Sequence, residues 1–178
     1  MKNEISIYEQ GQIELLFCNS THSFPLHSHE CWCIGLVTEG EVVFKIHDQE
    51  RLLKRGMMYV IPSNTGVSIT SEENYKYITV CLKGIIKEVF NEMALTQYFL
   101  KLTDVDLFLK PCYDFMWYGE EEKLVQEFFR IMVPLIDMEN MKINQVVNIP
   151  VQNAVEYLKN HMSEKFDLNN IAEAANIS

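Results

Sequence analysis

Apolar and polar residues alternate along the first half of the chain, and the apolar positions are rich in β-branched and aromatic side chains. A period of two is the mark of a strand with one face buried. The pattern predicts strands over 12–18, 31–38, 41–47, 50–54, 57–62, 66–70 and 75–82. Turn signals separate them at Glu39-Gly40, Asp48-Gln49, Arg55-Gly56 and Ser63-Asn64. Several short strands at near-regular spacing argue for a sandwich or barrel.

After Leu82 the period changes. Ile85, Ile86, Val89, Phe90 and Met93 recur at helical spacing within 84–102. Leu124, Phe128, Ile131, Met132, Leu135 and Ile136 do so within 120–138, where Pro134 should kink or shorten the helix. The run Glu120-Glu121-Glu122 suits the positive end of that helix dipole. Residues 139–149 read as a linker, Pro150 as a first-turn proline, and 151–162 as an amphipathic helix. Asp167 fits the N-cap of a short helix over 168–175. The expected fold class is mainly β with C-terminal helices.

Composition narrows the function. The 178 residues are 48% hydrophobic and 22% charged, as in ordinary globular proteins, and carry a net charge of −10. Phosphate backbones are bound by positive charge, so the surface as a whole does not read as a nucleic-acid binder. Cys18, Cys31, Cys33, Cys81 and Cys112 form an odd set with no signal-peptide pattern ahead of them. They read as reduced thiols in a cytoplasmic protein. No apolar run approaches the roughly 20 residues that span a bilayer.

One stretch is dense in chemistry: Pro25-Leu26-His27-Ser28-His29-Glu30-Cys31-Trp32-Cys33. Alternate strand residues share a face, so His27, His29, Cys31 and Cys33 can all point inward. Imidazole and thiolate suit zinc or a similar divalent metal. Same-face neighbours on a straight strand stand about 6.8 Å apart, so one strand supplies at most two ligands and facing strands must supply the rest. His27 and His29 are the candidate metal ligands, with Cys33 as a replacement ligand. They line the barrel mouth as hydrogen-bonding groups if no ion is held. Cys31 reads as core packing. A disulfide between Cys31 and Cys33 is disfavoured, since residues two apart on a regular strand rarely meet its geometry. Trp32, Phe44, Tyr59, Tyr75 and Tyr77 lie on predicted strands and either line a pocket or fill a core. The candidate ligand contacts are His27, His29, Trp32, Cys33, Phe44 and Tyr59.

The histidine stretch resembles the first cupin motif, with His27, His29 and Gly40 at the motif's spacing, Cys33 at its metal-binding Glu and Thr21 at its first Gly. Gly56 and Pro62 match the second motif. There Asn64 stands for Gly, Val67 for the His ligand and Ser71 for Asn. The tail 154–178 resembles the opening of the AraC-type DNA-binding domain, with Leu168, Ile171, Ala172 and Ala175 at its apolar-Ala-x-x-Ala positions and Ser178 at its turn.

The AraC resemblance implies a cupin barrel (a double-stranded β-helix or jelly roll) over 1–83 that binds a small-molecule effector. It implies a helical dimerisation segment over 84–139, a linker over 140–150, and the truncated start of a DNA-binding domain over 151–178. The same resemblance places Ile86, Val89, Phe90, Met93, Phe128 and Met132 at a homodimer interface. DNA would be read by the full-length regulator only, because 151–178 carries two lysines against four acidic residues. On this reading the chain is not an enzyme. Two rivals are a metal-dependent cupin enzyme of isomerase or dioxygenase type, and a cupin that only dimerises.

Overall fold

A computed structural model describes residues 4–136, 153, 156–158, 160–161 and 168–174. Ten strands come first: β1 (Glu4–Gln10), β2 (Ile13–Ser20), β3 (Phe24–His27), β4 (Trp32–Glu39), β5 (Glu41–Ile46), β6 (Gln49–Lys54), β7 (Met57–Ile61), β8 (Val67–Thr70), β9 (Tyr75–Leu82) and β10 (Phe99–Lys101). They form two antiparallel sheets, ordered β1-β2-β9-β4-β7-β10 and β3-β8-β5-β6. Helix α1 (Gly84–Asn91) interrupts the strands, and α2 (Asp106–Tyr118), α3 (Glu121–Met132) and α4 (Leu168–Ala174) follow them.

The centre of the larger sheet is buried on both faces, and alternation there assigns each side chain to a core. On β4, Trp32, Ile34 and Leu36 enter the core shared with the helices. Cys33 and Val37 enter the core between the two sheets. On β9, Ile78, Val80 and Leu82 face the helices, while Tyr75 and Cys81 face the smaller sheet. Two-sided burial explains why β4 and β9 read as nearly continuous apolar runs.

Several expectations are corrected. The helix expected over 84–102 stops at Asn91, and the chain returns as β10, pairing Phe99 with Tyr59 at the edge of the larger sheet. An open sheet edge offers a row of unpaired backbone groups, and Tyr98-Phe99 suits a strand better than a helix. The sheet therefore extends past the expected boundary at 83. The segment between the two expected helices holds α2, which tolerates Pro111 and ends on Gly119 at φ 68°, a left-handed cap that glycine adopts without strain. Strands β1 and β3 also lie outside the expected set.

The stripe Ile86, Val89, Phe90, Met93, Phe128 and Met132 is buried within this chain, against the helix-facing side of the larger sheet. This corrects its assignment to a dimer interface: an amphipathic helix takes the nearest apolar partner, and the sheet supplies one. Pro134 does end α3, which gives way to a single 3-10 turn, Val133–Leu135. Near the tail, Leu158 and Ile171 join the same core. The expected linker 140–150, the Asp167 cap, Ala175 and Ser178 lie outside the described residues, as does most of the helix expected over 151–162.

Candidate functional site

The core between the sheets is built in layers set by strand register. In the central layer Gly35 pairs with Tyr59 on one side and Thr79 on the other. Lacking a side chain, Gly35 lets the Tyr59 ring cross above it, and the Tyr59 and Thr79 hydroxyls bond at 2.6 Å. Phe44, from the smaller sheet, stacks on Tyr59 at 4.3 Å. Tyr77 meets the edge of Tyr59 at 6.3 Å and stacks on Tyr75 at 5.8 Å. Tyr75 donates its hydroxyl hydrogen to the His22 carbonyl at 2.6 Å. Burial drives the Tyr59, Tyr75 and Tyr77 hydroxyls above the usual tyrosine range, Tyr75 to about 12. These four aromatics point inward and fill the middle of the barrel, one of the two roles that the sequence left open.

Trp32 is the exception and corrects its assignment to the pocket. Its even position on β4 turns it toward α1, where it packs on Phe90 at 5.5 Å and donates its indole N–H to Asn91 Oδ1 at 2.6 Å.

The next layer carries the chemistry. Cys33 pairs across the strands with Cys81 and Ile61, and Cys81 pairs with Glu14 on β2. Cys31 sits in a bend just before β4. The bend folds its sulfur back to 3.6 Å from Cys33 Sγ, inside the spacing of a straight strand. Cys33 Sγ lies 3.8 Å from Cys81 Sγ. Cys33 and Cys81 are 3% and 5% exposed, and Cys31 is half-buried. Hydrogen bonds from Cys33 and Cys81 hold the Cys31 thiol below the usual thiol range, while the same contacts and burial push the other two up. Glu14 is engaged by Lys83 at 2.7 Å, and Lys83 also meets Glu9 at 2.8 Å.

His27 ends β3 and His29 follows in the loop before β4, both half-buried, their rings edge to face at 4.8 Å. The Pro25 carbonyl accepts a hydrogen bond from His27 Nδ1 at 2.7 Å. The Asn64 backbone N–H, held at φ 57°, donates to the His29 carbonyl at 2.6 Å and ties the loop after β3 to the loop after β7. Burial, then the neighbouring His27, lowers the pKa of His29. Among the described residues, the group of three His, Cys, Asp or Glu side chains near enough to share an ion is Cys31, Cys33 and Cys81, not a set built on the histidine pair. Val67, at the position of the expected second-motif ligand, is fully buried among apolar side chains. Cys81 was hidden in the sequence because its meeting with Cys33 depends on the β4–β9 register, and nothing local encodes that.

Two grooves lie outside this core. One, of about 430 Å³, is bordered by Glu39, Arg55, Lys76, Tyr77 and Tyr113; the other, of about 500 Å³, by Glu41, Leu52, Glu72 and Glu73.

Antiparallel sheets enclosing a side-chain-lined interior define a barrel-type binding scaffold. Residues 11–105 match the AraC-like ligand binding domain family. The match spans more than half of the 178 residues, and the chain belongs to that family. Similar solved structures include a cupin-2 domain protein from Shewanella frigidimarina, 22% identical, covering 45% of this chain and 80% of that one with a TM-score of 0.41. A cupin superfamily protein from Desulfitobacterium hafniense is 15% identical, covering 47% and 79% with a TM-score of 0.44. No curated protein matches the chain.

Proposed function

We propose that this chain senses a small-molecule effector as part of an AraC-type transcription regulator, without catalysing a reaction. The family match over residues 11–105 carries the reading. The resemblance of the tail 154–178 to the opening of the AraC-type DNA-binding domain supports the regulator part of the reading. In this reading the effector enters at His27 and His29 and displaces the Phe44–Tyr59 stack. Binding one arrangement of the protein more tightly than another shifts their populations, and the shift reaches the DNA-reading domains of a homodimer. An enzyme reading needs three firm metal ligands with one open position. The alkyl side chain of Val67 at a ligand position weighs against it.

A packed interior also favours a second reading, a barrel that has lost its effector and serves assembly alone. A thermal-shift screen of sugars, organic acids and amphipathic small molecules separates the two. A ligand at a hundred times its Kd stabilises by about 2.7 kcal/mol. A concentration-dependent rise in Tm that Tyr59→Ala abolishes supports the sensor. No response from any class supports the second reading. For the regulator role, the tagged protein expressed from its own gene is expected to crosslink to defined promoter DNA. Uniform background occupancy would overturn it.

A further inference from the structure

Neither the effector reading nor the packing of the barrel needs three thiols in mutual contact. Cys18 and Cys112 show the ordinary uses of a buried cysteine. Cys18 bonds to Tyr77, and Cys112 is a small apolar side chain in the helix core. Cys31, Cys33 and Cys81 differ. Their sulfurs lie 3.6 Å and 3.8 Å apart in sequence order, and all three fall within 4.8 Å of one another. Two thiolates on one tetrahedral zinc ion, each about 2.3 Å from it, stand about 3.8 Å apart. Two of the three sulfurs are fixed by the register of neighbouring strands, and the third by the bend before β4. Cys33 and Cys81 lie buried among apolar residues, and Cys31 is half-buried.

We propose that Cys31, Cys33 and Cys81 form a three-thiolate site for a soft d10 cation, supplied as zinc(II) or copper(I). Thiolate ligands select such ions over magnesium or calcium, which demand oxygen. The neighbouring carboxylate, Glu14, is engaged by Lys83. Each thiol that binds exchanges its S–H bond for a metal–sulfur bond and releases one proton to solvent, a sulfur already ionised binds without releasing one, the ion sheds its water, and no electrons move. The proposal does not depend on the regulator reading, and its failure leaves that reading standing.

The test uses the reduced chain under anaerobic conditions with metal ions as the probes. In the zinc arm, cobalt(II) as a surrogate is expected to give an intense sulfur-to-cobalt charge-transfer band that saturates at one equivalent and is bleached by zinc(II). In the copper arm, copper(I) is titrated against a chromophoric chelator. Retention of one zinc against a carboxylate chelator marks a zinc site. Retention of copper(I) alone marks a copper(I) site. Cys31→Ser, at the half-buried position, is expected to weaken binding by about a hundredfold with unchanged circular dichroism. Cys33→Ser and Cys81→Ser should do at least as much, and Cys18→Ser should do nothing. Retention of neither ion at one equivalent overturns the proposal. So does a bound ion that survives Cys31→Ser and Cys81→Ser but is lost with His27→Ala.

Discussion

Tyr59 reaches Thr79 across Gly35, and the hydroxyl contact at 2.6 Å exists because the residue between them has no side chain. A Cβ at Gly35 would overlap the Tyr59 ring. Gly35→Ala is therefore expected to destabilise by about 1–3 kcal/mol, the range for overpacking a filled core. Tyr59→Phe keeps the ring and leaves the Thr79 hydroxyl buried without this partner, at a cost of about 1–3 kcal/mol. Urea denaturation checks both. If Gly35→Ala is neutral, the ring does not lie where the geometry puts it.

Asn91 ends α1. Its Oδ1 accepts from both the Trp32 indole and Ser63 Oγ, each at 2.6 Å. Asn91→Ala leaves the buried indole N–H unpaired and is expected to cost about 1–3 kcal/mol. Ser63 is half-buried and can still turn its hydroxyl to water, so Ser63→Ala should change little. A larger loss for Ser63→Ala than for Asn91→Ala would contradict this account.

The family resemblance implies a homodimer, but the stripe first assigned to it is buried in the monomer. Of the large apolar residues left exposed, Ile5, Ile7, Leu26 and Leu52 lie on strands, while Leu107, Tyr113, Trp117 at 73% and Tyr118 at 76% lie together on α2. If the chain dimerises through this face, Trp117→Glu should shift sedimentation equilibrium toward monomer without lowering monomer stability. Phe128→Ala should instead destabilise the fold itself by about 3–5 kcal/mol. A dimer that is indifferent to Trp117→Glu moves the interface elsewhere.

Alkali should unfold the protein through its buried tyrosines. An exposed tyrosine ionises near pH 10, as it does in the unfolded chain. Tyr75 is held up to about 12 by burial, and Tyr59 and Tyr77 are also raised. Between about pH 10 and 12 the unfolded state therefore binds fewer protons than the native one, so stability falls as pH rises. Below pH 10 these groups contribute their full stabilisation. Absorbance of phenolate and circular dichroism, followed together, should show the buried tyrosines ionising with loss of structure. Ionisation of all tyrosines near pH 10 in a folded chain would contradict their burial.

Seven of the ten strands were legible in the sequence because alternation is a local signal and turn residues punctuate it. The strands β1, β3 and β10 were not. They sit at sheet edges, where one neighbour suffices and the pattern is weak. The histidine and cysteine cluster was legible as composition. That Cys31 and Cys33 are joined by Cys81, and not by the histidines, was decided by the β4–β9 register and the bend before β4. The sequence by itself determined which faces are apolar and where the chain turns, since both depend on neighbours a few residues away. Only the tertiary structure decided what covers each face. It buried the α1 and α3 stripes in the monomer and sent Trp32 to the helices, because apolar surface takes whichever partner the packed chain brings nearest.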